Sequence, residues 1–180
     1  MKQLLWGLIF SVALPCLAFS QGRHLRVYAV ALANDSAGAS LGASSSGSGL
    51  YVSDDTGHSF RHVGWDNVKS YSMNLVRRDS GRVLYLATGL GVLRSRDWGQ
   101  HWKQLTDWRV SEVMDIAVNQ AHPGELWIAT AHGPWHSTDS GASWVADGRG
   151  MKTPYCSRVM YDSSDYRQVA LAGEDGLYLR

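Results

Sequence analysis

The sequence predicts an all-β fold made of a repeated antiparallel unit, and three observations predict it. The eight-residue pattern Ser-x-Asp-x-Gly-x-x-aromatic occurs three times, and each copy begins 42 residues after the one before. Short runs rich in β-branched and aromatic residues lie between the copies, and turn residues such as Gly and Asn separate these runs. A fixed period of this length indicates one supersecondary unit that stacks on copies of itself.

The clearest copy of the unit contains four short predicted strands joined by tight turns. These strands are residues 113–118, 125–130, 134–137 and 144–146. Four strands of this length make one antiparallel blade, and closed β-propellers typically carry about four to eight such blades. The sequence therefore predicts a β-propeller built from four-stranded antiparallel blades.

The other copies follow the same register but are incomplete at both ends of the chain. The first copy begins at its second strand, and an insertion rich in Ala, Ser and Gly, residues 33–48, is predicted to be a flexible loop. The last copy has no fourth strand, because the chain stops at Arg180. The predicted blades are residues 24–63, 64–106, 107–148 and 149–180.

These blades hold three, four, four and three predicted strands, which is about 3.5 blades. No ordinary four-bladed ring closes from this inventory. We therefore expect an incomplete propeller and favour a fragment of a longer propeller. A shortened gene product and half of an assembly are the alternatives.

The first 20 residues are typical of a secretory signal peptide. Lys2 precedes an apolar run, residues 4–17, that is short for a membrane span, and the small residues Ala18 and Ser20 predict cleavage after Ser20. We therefore expect residues 21–180 to be secreted or periplasmic, with no membrane span after cleavage. A retained membrane anchor is the alternative.

The composition of the mature chain excludes some partners. Cleavage after Ser20 leaves 16 basic and 16 acidic side chains, and no basic run is present. A nucleic-acid partner is therefore not expected, because the positive surface that holds a phosphate backbone is missing. Cys156 is the one cysteine left, so an internal disulfide is excluded, and we expect its thiol to be buried.

The repeated eight-residue pattern has a structural explanation at each of its defined positions. The Asp can accept hydrogen bonds from nearby backbone amides, the Gly can take a positive φ, and the final aromatic ring can anchor the next strand. One Asp per loop supplies too few oxygens for calcium, and the histidine spacing does not fit zinc, so we expect no metal and no cofactor. The residues predicted to be structural are Ser53, Asp55, Gly57, Phe60, Ser95, Asp97, Gly99, Trp102, Ser137, Asp139, Gly141 and Trp144.

With these motifs, the sequence resembles the Asp-box β-propeller superfamily, whose members carry bacterial neuraminidase repeats. Residues 126–144 follow the family pattern most closely. The repeat spacing is similar to sortilin-like, xyloglucan-hydrolase-like and photosystem II assembly factor-like propellers. The resemblance implies the fold of the whole mature chain and implies little about activity, because function depends on sites grafted onto a fold. The Arg-Ile-Pro signature of the sialidase members is absent, so sialidase activity is not expected.

Candidate ligand contacts lie on the inner strands, which line the central channel of a propeller. We select Tyr71, Asp115 and Arg158 as these candidates and assign no catalytic residue. In the predicted register, Asp115 is equivalent to Met73 and Arg158. Asp115 and Arg158 are therefore expected to face one another on adjacent blades, either as a structural ion pair or as a ligand-contacting pair.

The sequence favours a secreted, non-catalytic β-propeller that binds or scaffolds an extracytoplasmic protein or glycan. The alternative is a fragment of a sialidase-like or xyloglucanase-like glycoside hydrolase whose second carboxylate lies in blades outside this chain. A nonfunctional truncated copy of either is a third hypothesis. Unpaired strand edges also predict self-association.

Overall fold

A computed structural model describes residues 25–31, 48–65, 68–78 and 81–180. Every regular element in these ranges is a β-strand. None of the described segments forms a helix with the length and hydrophobicity that a membrane span requires. The predicted signal peptide and nearly all of the predicted insertion lie outside the described residues.

The first two sheets come from the N-terminal part of the chain. Sheet 1 has three strands: β1 (Val27–Ala31), β2 (Gly49–Ser53) and β3 (Arg61–Val63). Sheet 2 has four strands: β4 (Ser70–Arg78), β5 (Gly81–Thr88), β6 (Gly91–Ser95) and β7 (Lys103–Gln104). Neighbouring strands in both sheets are consecutive in the chain and antiparallel.

The last two sheets repeat this arrangement. Sheet 3 has four strands: β8 (Val113–Val118), β9 (Leu126–Thr130), β10 (Gly133–Ser137) and β11 (Val145–Ala146). Sheet 4 has three strands: β12 (Cys156–Tyr161), β13 (Val169–Gly173) and β14 (Gly176–Leu179). The predicted all-β class, with three, four, four and three strands, is confirmed. Strand β12 begins two residues before its predicted start.

The sheets stack face to face, and three apolar clusters join them in sequence order. Leu50 and Val52 of sheet 1 pack with Leu86 and Leu93 of sheet 2. The second cluster joins sheets 2 and 3 through Val76, Tyr85, Val92, Val113, Ile116 and Ile128. The third joins sheets 3 and 4 through Ala117, Ala129, Val159 and Leu171. Burial of apolar surface between successive sheets therefore holds the repeats together.

Cys156 lies in the third of these clusters, so its predicted burial is confirmed. Burial raises the pKa of its thiol to about 11. The thiol is therefore neutral at physiological pH, and it lacks the lowered pKa that marks a reactive cysteine.

Candidate functional site

The three repeated turns, residues 53–60, 95–102 and 137–144, share one hydrogen-bond pattern. In the third turn, the Ser137 hydroxyl donates to Asp139 Oδ1 (2.8 Å) and accepts the Gly141 N–H (2.9 Å). Asp139 Oδ1 also accepts the Ser143 N–H at 2.8 Å. The same serine-to-aspartate and glycine-to-serine bonds occur in the first two turns.

These bonds keep the three aspartates ionised. Hydrogen bonds from the Ser143 side chain and amide lower the pKa of Asp139 to about 2, and the His101 amide and ring lower that of Asp97 to about 2. The Ser53 and Ser59 hydroxyls lower the pKa of Asp55 as well. Each carboxylate is engaged in closing its own turn. Among the described residues, no three His, Cys, Asp or Glu side chains are placed to hold a metal ion.

Each turn contains two successive residues with positive φ. The glycines Gly57, Gly99 and Gly141 have φ of 97°, 88° and 82°, the sign that the sequence predicts for them. The residues just before them, Thr56, Trp98 and Ser140, have φ of 63°, 64° and 63°. Sequence reasoning missed this second position because the repeated pattern leaves its identity open.

In the second and third turns, the aromatic residue at the end of the turn packs back onto the sheets. Trp144 contacts the apolar cluster between sheets 2 and 3, and its indole N–H donates to the Leu105 carbonyl at 3.2 Å. Trp102 contacts the cluster between sheets 1 and 2. The serine and aspartate side chains of each turn thus bond within the turn, and Trp102 and Trp144 contact the sheets. A structural role for the pattern, including Phe60, remains a prediction.

The inner strands have a register that differs from the predicted one. Asp115 pairs with Ala129, and Ser72 pairs with Ala87, the residue 42 positions before Ala129. The residue equivalent to Asp115 in sheet 2 is therefore Ser72, and the predicted equivalence with Met73 is wrong. Leu75 pairs with Leu84, nine residues later, whereas the equivalent Val118 pairs with Leu126, eight residues later. The hairpin of β4 and β5 therefore holds one residue more than that of β8 and β9, and this residue changes the spacing of the inner strands from 42 to 43.

The same extra residue changes the position of Tyr71. Ser70 and Val113 pair with the equivalent residues Thr88 and Thr130, so Ser70 takes the place that the sequence assigned to Tyr71. Tyr71 lies inside the bulge and is partly exposed. Its role as a ligand contact remains a prediction.

The predicted ion pair between Asp115 and Arg158 is not formed in the described structure. Asp115 Oδ2 accepts the Val159 N–H at 3.1 Å, and its Oδ1 accepts the Ile116 N–H at 2.9 Å. Arg158 and Asp115 occupy equivalent positions, since they pair with Ala172 and Ala129. Equivalent side chains on stacked sheets point in the same direction, so Arg158 points away from Asp115 and is exposed. Asp115 instead joins sheet 3 to the backbone of sheet 4.

A groove lies between the outer strands of sheets 2 and 3. Its volume is about 510 Å³, which falls in the usual range for ligand pockets, about 300–1,000 Å³. Its apolar lining residues are Leu105, Val110, Trp135, Ala142 and Trp144, and its polar ones are Gln104, Thr106, Asp107, Arg109 and Ser143.

Trp108 lies in the chain between Asp107 and Arg109, two residues that line this groove, and is 85% exposed. Arg109 forms an ion pair with Asp107 at 2.6 Å and lowers the pKa of that carboxyl. Sequence reasoning missed this surface. One signal of this surface was present in the sequence. The position 42 residues after Trp108 is Gly150, so the repeated unit does not require a tryptophan at this position.

Comparison with solved structures identifies similar folds. An ancestral GH74 enzyme is 18% identical, with a TM-score of 0.59 over 73% of this chain and 20% of that one. The extracellular domain of a putative one-component system from B. thetaiotaomicron is 20% identical, with a TM-score of 0.55 over 72% of this chain and 17% of that one. YCF48 from Cyanidioschyzon merolae is 13% identical, with a TM-score of 0.54 over 72% of this chain and 43% of that one.

These similarities define the fold of this chain as an all-β β-propeller fold. The chain spans between 17% and 43% of the length of these three structures. Identities of 13% to 20% establish a common fold and leave activity undetermined. No family model and no curated protein matches the sequence.

Proposed function

We propose that the chain is a secreted or periplasmic binding module without catalytic activity, and that it binds its ligand at the groove beside Trp108. The observation that carries this proposal is an almost fully exposed tryptophan beside a groove of ligand size. An exposed indole costs solvation free energy in the unbound protein, and covering it with a ligand recovers that free energy.

The residue types around the groove favour a protein as ligand. Trp and Arg are enriched among the residues that dominate protein interfaces, and Trp108 and Arg109 supply both. Leu90, another exposed apolar residue, lies in an adjacent loop. Its carbonyl accepts a hydrogen bond from the Gln104 side chain at the groove. A glycan could also stack on Trp108, so it is the second ligand class to test.

The carboxylates of the described residues support binding over hydrolysis. Glycoside hydrolysis requires one carboxylic acid with a raised pKa and a second carboxylate across the substrate. Where an aspartate pKa is shifted in the described residues, it is shifted downward, as in Asp55, Asp97 and Asp139. Both Asp115 oxygens accept backbone amides. These observations support the proposal of a binding module over the glycosidase alternative.

The experiment compares ligand retention by Trp108→Ala and Trp65→Ala. Trp65 is an exposed tryptophan outside the groove, so its substitution is the matched control. The immobilised protein is probed with extracytoplasmic proteins, and separately with soluble xyloglucan and sialylated glycans. We expect Trp108→Ala to weaken binding of the retained ligand by about tenfold or more, because a central tryptophan can contribute a large share of interface affinity.

Trp65→Ala is expected to bind like the wild type. Equal binding by wild type and Trp108→Ala would contradict the assignment of the groove. Turnover of either glycan would contradict the absence of catalysis. Retention of a glycan without turnover would identify the ligand class and leave the assignment of the groove intact.

A further inference from the structure

Two arginines lie against the ring of Trp98 where sheets 1 and 2 meet. The guanidinium carbons of Arg26 and Arg82 are 4.8 Å and 4.5 Å from the centre of this ring, within the range of cation–π contacts. Arg26 precedes β1 of sheet 1, whereas Arg82 lies on β5 of sheet 2. One indole therefore holds two positive charges from two sheets close together, although like charges repel.

A third arginine joins this pair through one carboxylate. The Arg26 Nε–H donates to Asp54 Oδ1, and Arg61 Nη2 lies 3.6 Å from Asp54 Oδ2. Arg82 has no carboxylate partner among the described residues. We call Arg26, Arg61, Arg82 and Trp98 the arginine cluster. Its three positive charges exceed the one negative charge that Asp54 supplies.

The repeated turn does not require the tryptophan of this cluster. Trp98 lies between the Asp and the Gly of the second turn, where the other two turns have Thr56 and Ser140. Its φ is 64°, a region in which a bulky residue is an outlier and costs free energy. Because the two smaller side chains close the same turn, turn closure does not explain the tryptophan. Backbone strain of this kind is concentrated at functional sites.

The hairpin that supplies Arg82 also departs from the repeat. Strand β9 begins at Leu126, the equivalent of Leu84, whereas β5 begins earlier, at Gly81. Arg77 pairs with Arg82 across this extension, and both arginines are exposed. Like charges directly opposite each other destabilise a sheet. The extension therefore concentrates positive charge beside the cluster without stabilising the sheet.

A stacked arginine keeps its N–H groups available for a ligand. Stacking uses the flat face of the guanidinium group, whereas the N–H groups lie at its edge and match the oxygens of a carboxylate. Asp54 shows this match within the protein, because two arginines contact its two oxygens. The Asp54 side chain is 47% exposed, so a ligand can reach the arginines beside it.

The extent of the charge favours a short acidic segment over a long polyanion. A long polyanion requires a basic stripe along its length, but the chain has 17 basic and 16 acidic side chains and no basic run. Tryptophan and arginine are also enriched among the residues that dominate protein interfaces. A depression of about 340 Å³, lined in part by Asp54, Phe60 and Arg61, adjoins the cluster and can hold a side chain of the ligand.

We propose that the arginine cluster binds an acidic segment of a protein partner. Carboxylates of this segment bind Arg82 and replace Asp54 at Arg61. Asp54 therefore competes with the ligand and lowers the affinity of the site. The cluster lies between sheets 1 and 2, whereas the groove beside Trp108 lies between sheets 2 and 3, so this proposal does not depend on the groove.

Titration of the purified, isotope-labelled protein with hexaglutamate, followed by two-dimensional NMR, tests this proposal. We expect a Kd of about 1 mM at low ionic strength, because a few exposed ion pairs contribute little free energy each. The indole N–H resonance of Trp98 is expected to shift. Trp98→Ser identifies this resonance by its loss and keeps the side chain found at the equivalent position of the third turn. Hexaglutamine is the neutral control and is not expected to bind.

Two pairs of variants separate local contacts from net charge. Arg82→Gln is expected to weaken hexaglutamate binding about fivefold. Asp54→Asn is expected to strengthen it about twofold, because the competing carboxylate is gone. Arg167→Gln and Asp165→Asn make the same changes of charge in an exposed ion pair outside the cluster, and both are expected to bind like the wild type.

Circular dichroism controls for folding of each variant. Equal weakening by Arg82→Gln and Arg167→Gln would show an effect of net charge alone and would overturn the proposal. An unchanged Trp98 resonance at saturating hexaglutamate, or an unchanged affinity in Asp54→Asn, would overturn it as well. Binding of dextran sulfate at the cluster without binding of hexaglutamate would overturn the ligand class and identify an anionic glycan instead.

Discussion

Gly91→Ala is expected to lower the free energy of unfolding by about 3–5 kcal/mol, the range of severe single substitutions. Gly91 has a φ of 121°, and an added Cβ would lie 1.9 Å from Thr106 Oγ1 and 3.0 Å from the Val110 carbonyl oxygen. Thr106 is buried, and its hydroxyl accepts the Val92 N–H at 3.1 Å, so displacing it also breaks that bond. Guanidinium unfolding followed by circular dichroism measures the loss.

Gly81→Ala is the matched control for this prediction. Gly81 has a φ of 126° and also begins a strand, but an added Cβ there has no described atom within 4 Å. Alanine at this position introduces backbone strain without a collision, at a cost of about 1–3 kcal/mol. Equal losses at the two glycines would show that the contact with the Thr106 loop does not determine the conformation of β6.

Ser137→Ala is expected to cost about 2–3 kcal/mol of unfolding free energy, because it leaves buried polar groups without partners. Ser137 is buried, and its hydroxyl donates to Asp139 and accepts the N–H groups of Gly141 (2.9 Å) and Asp139 (3.3 Å). Alanine removes all three bonds and supplies no replacement. The Gly141 N–H is then unsatisfied in a part of the turn that solvent barely reaches.

Ser143→Ala provides a control within the same turn. The Ser143 hydroxyl donates one bond to Asp139 from an exposed position, where water can replace it. Its loss is expected to change the unfolding free energy by less than about 1 kcal/mol. If the two serine variants have the same midpoint of denaturation, the buried hydroxyl does not stabilise the turn, and the structural explanation of the repeated pattern is wrong.

The period of the repeat made most of the fold predictable. Turn residues at fixed offsets predicted the positions of the strands in sheets 2 and 3. The strands of the first and last sheets were then predicted from the same repeat spacing. The inner strands were harder to predict, because the β4–β5 hairpin holds one residue more than the β8–β9 hairpin, and the fixed spacing of the repeated turns does not reveal this difference. The one-residue error at Ser72 and Met73 follows from that extra residue.

The candidate site was less predictable than the fold. Asp115 and Arg158 have opposite charges at equivalent positions, which suggested a pair, but side chains at equivalent positions on stacked sheets point in the same direction. Trp108 lies in a connection between sheets, where the repeat imposes no requirement and periodicity carries no information. Its exposure became evident only when neighbouring loops were placed around it.

The hydrogen bonds of the repeated aspartates also help to distinguish residues that maintain the fold from residues that could bind a ligand. Asp55, Asp97 and Asp139 have hydrogen-bond partners within their own turns. Residues that differ between repeats are therefore the better candidates for binding. Trp108 is such a residue, and the comparison of propellers that share this fold can begin from the connection in which it lies.

The central claim is that Asp115 joins two sheets and is not a catalytic carboxylate. It is tested most directly by measuring thermal unfolding and release of reducing ends from xyloglucan for the wild type and Asp115→Asn. We predict no release by either protein and a loss of about 1–2 kcal/mol of stability in the variant, since an amide group cannot accept both backbone N–H bonds. Release by the wild type that Asp115→Asn abolishes, with an unchanged melting curve, would contradict the claim.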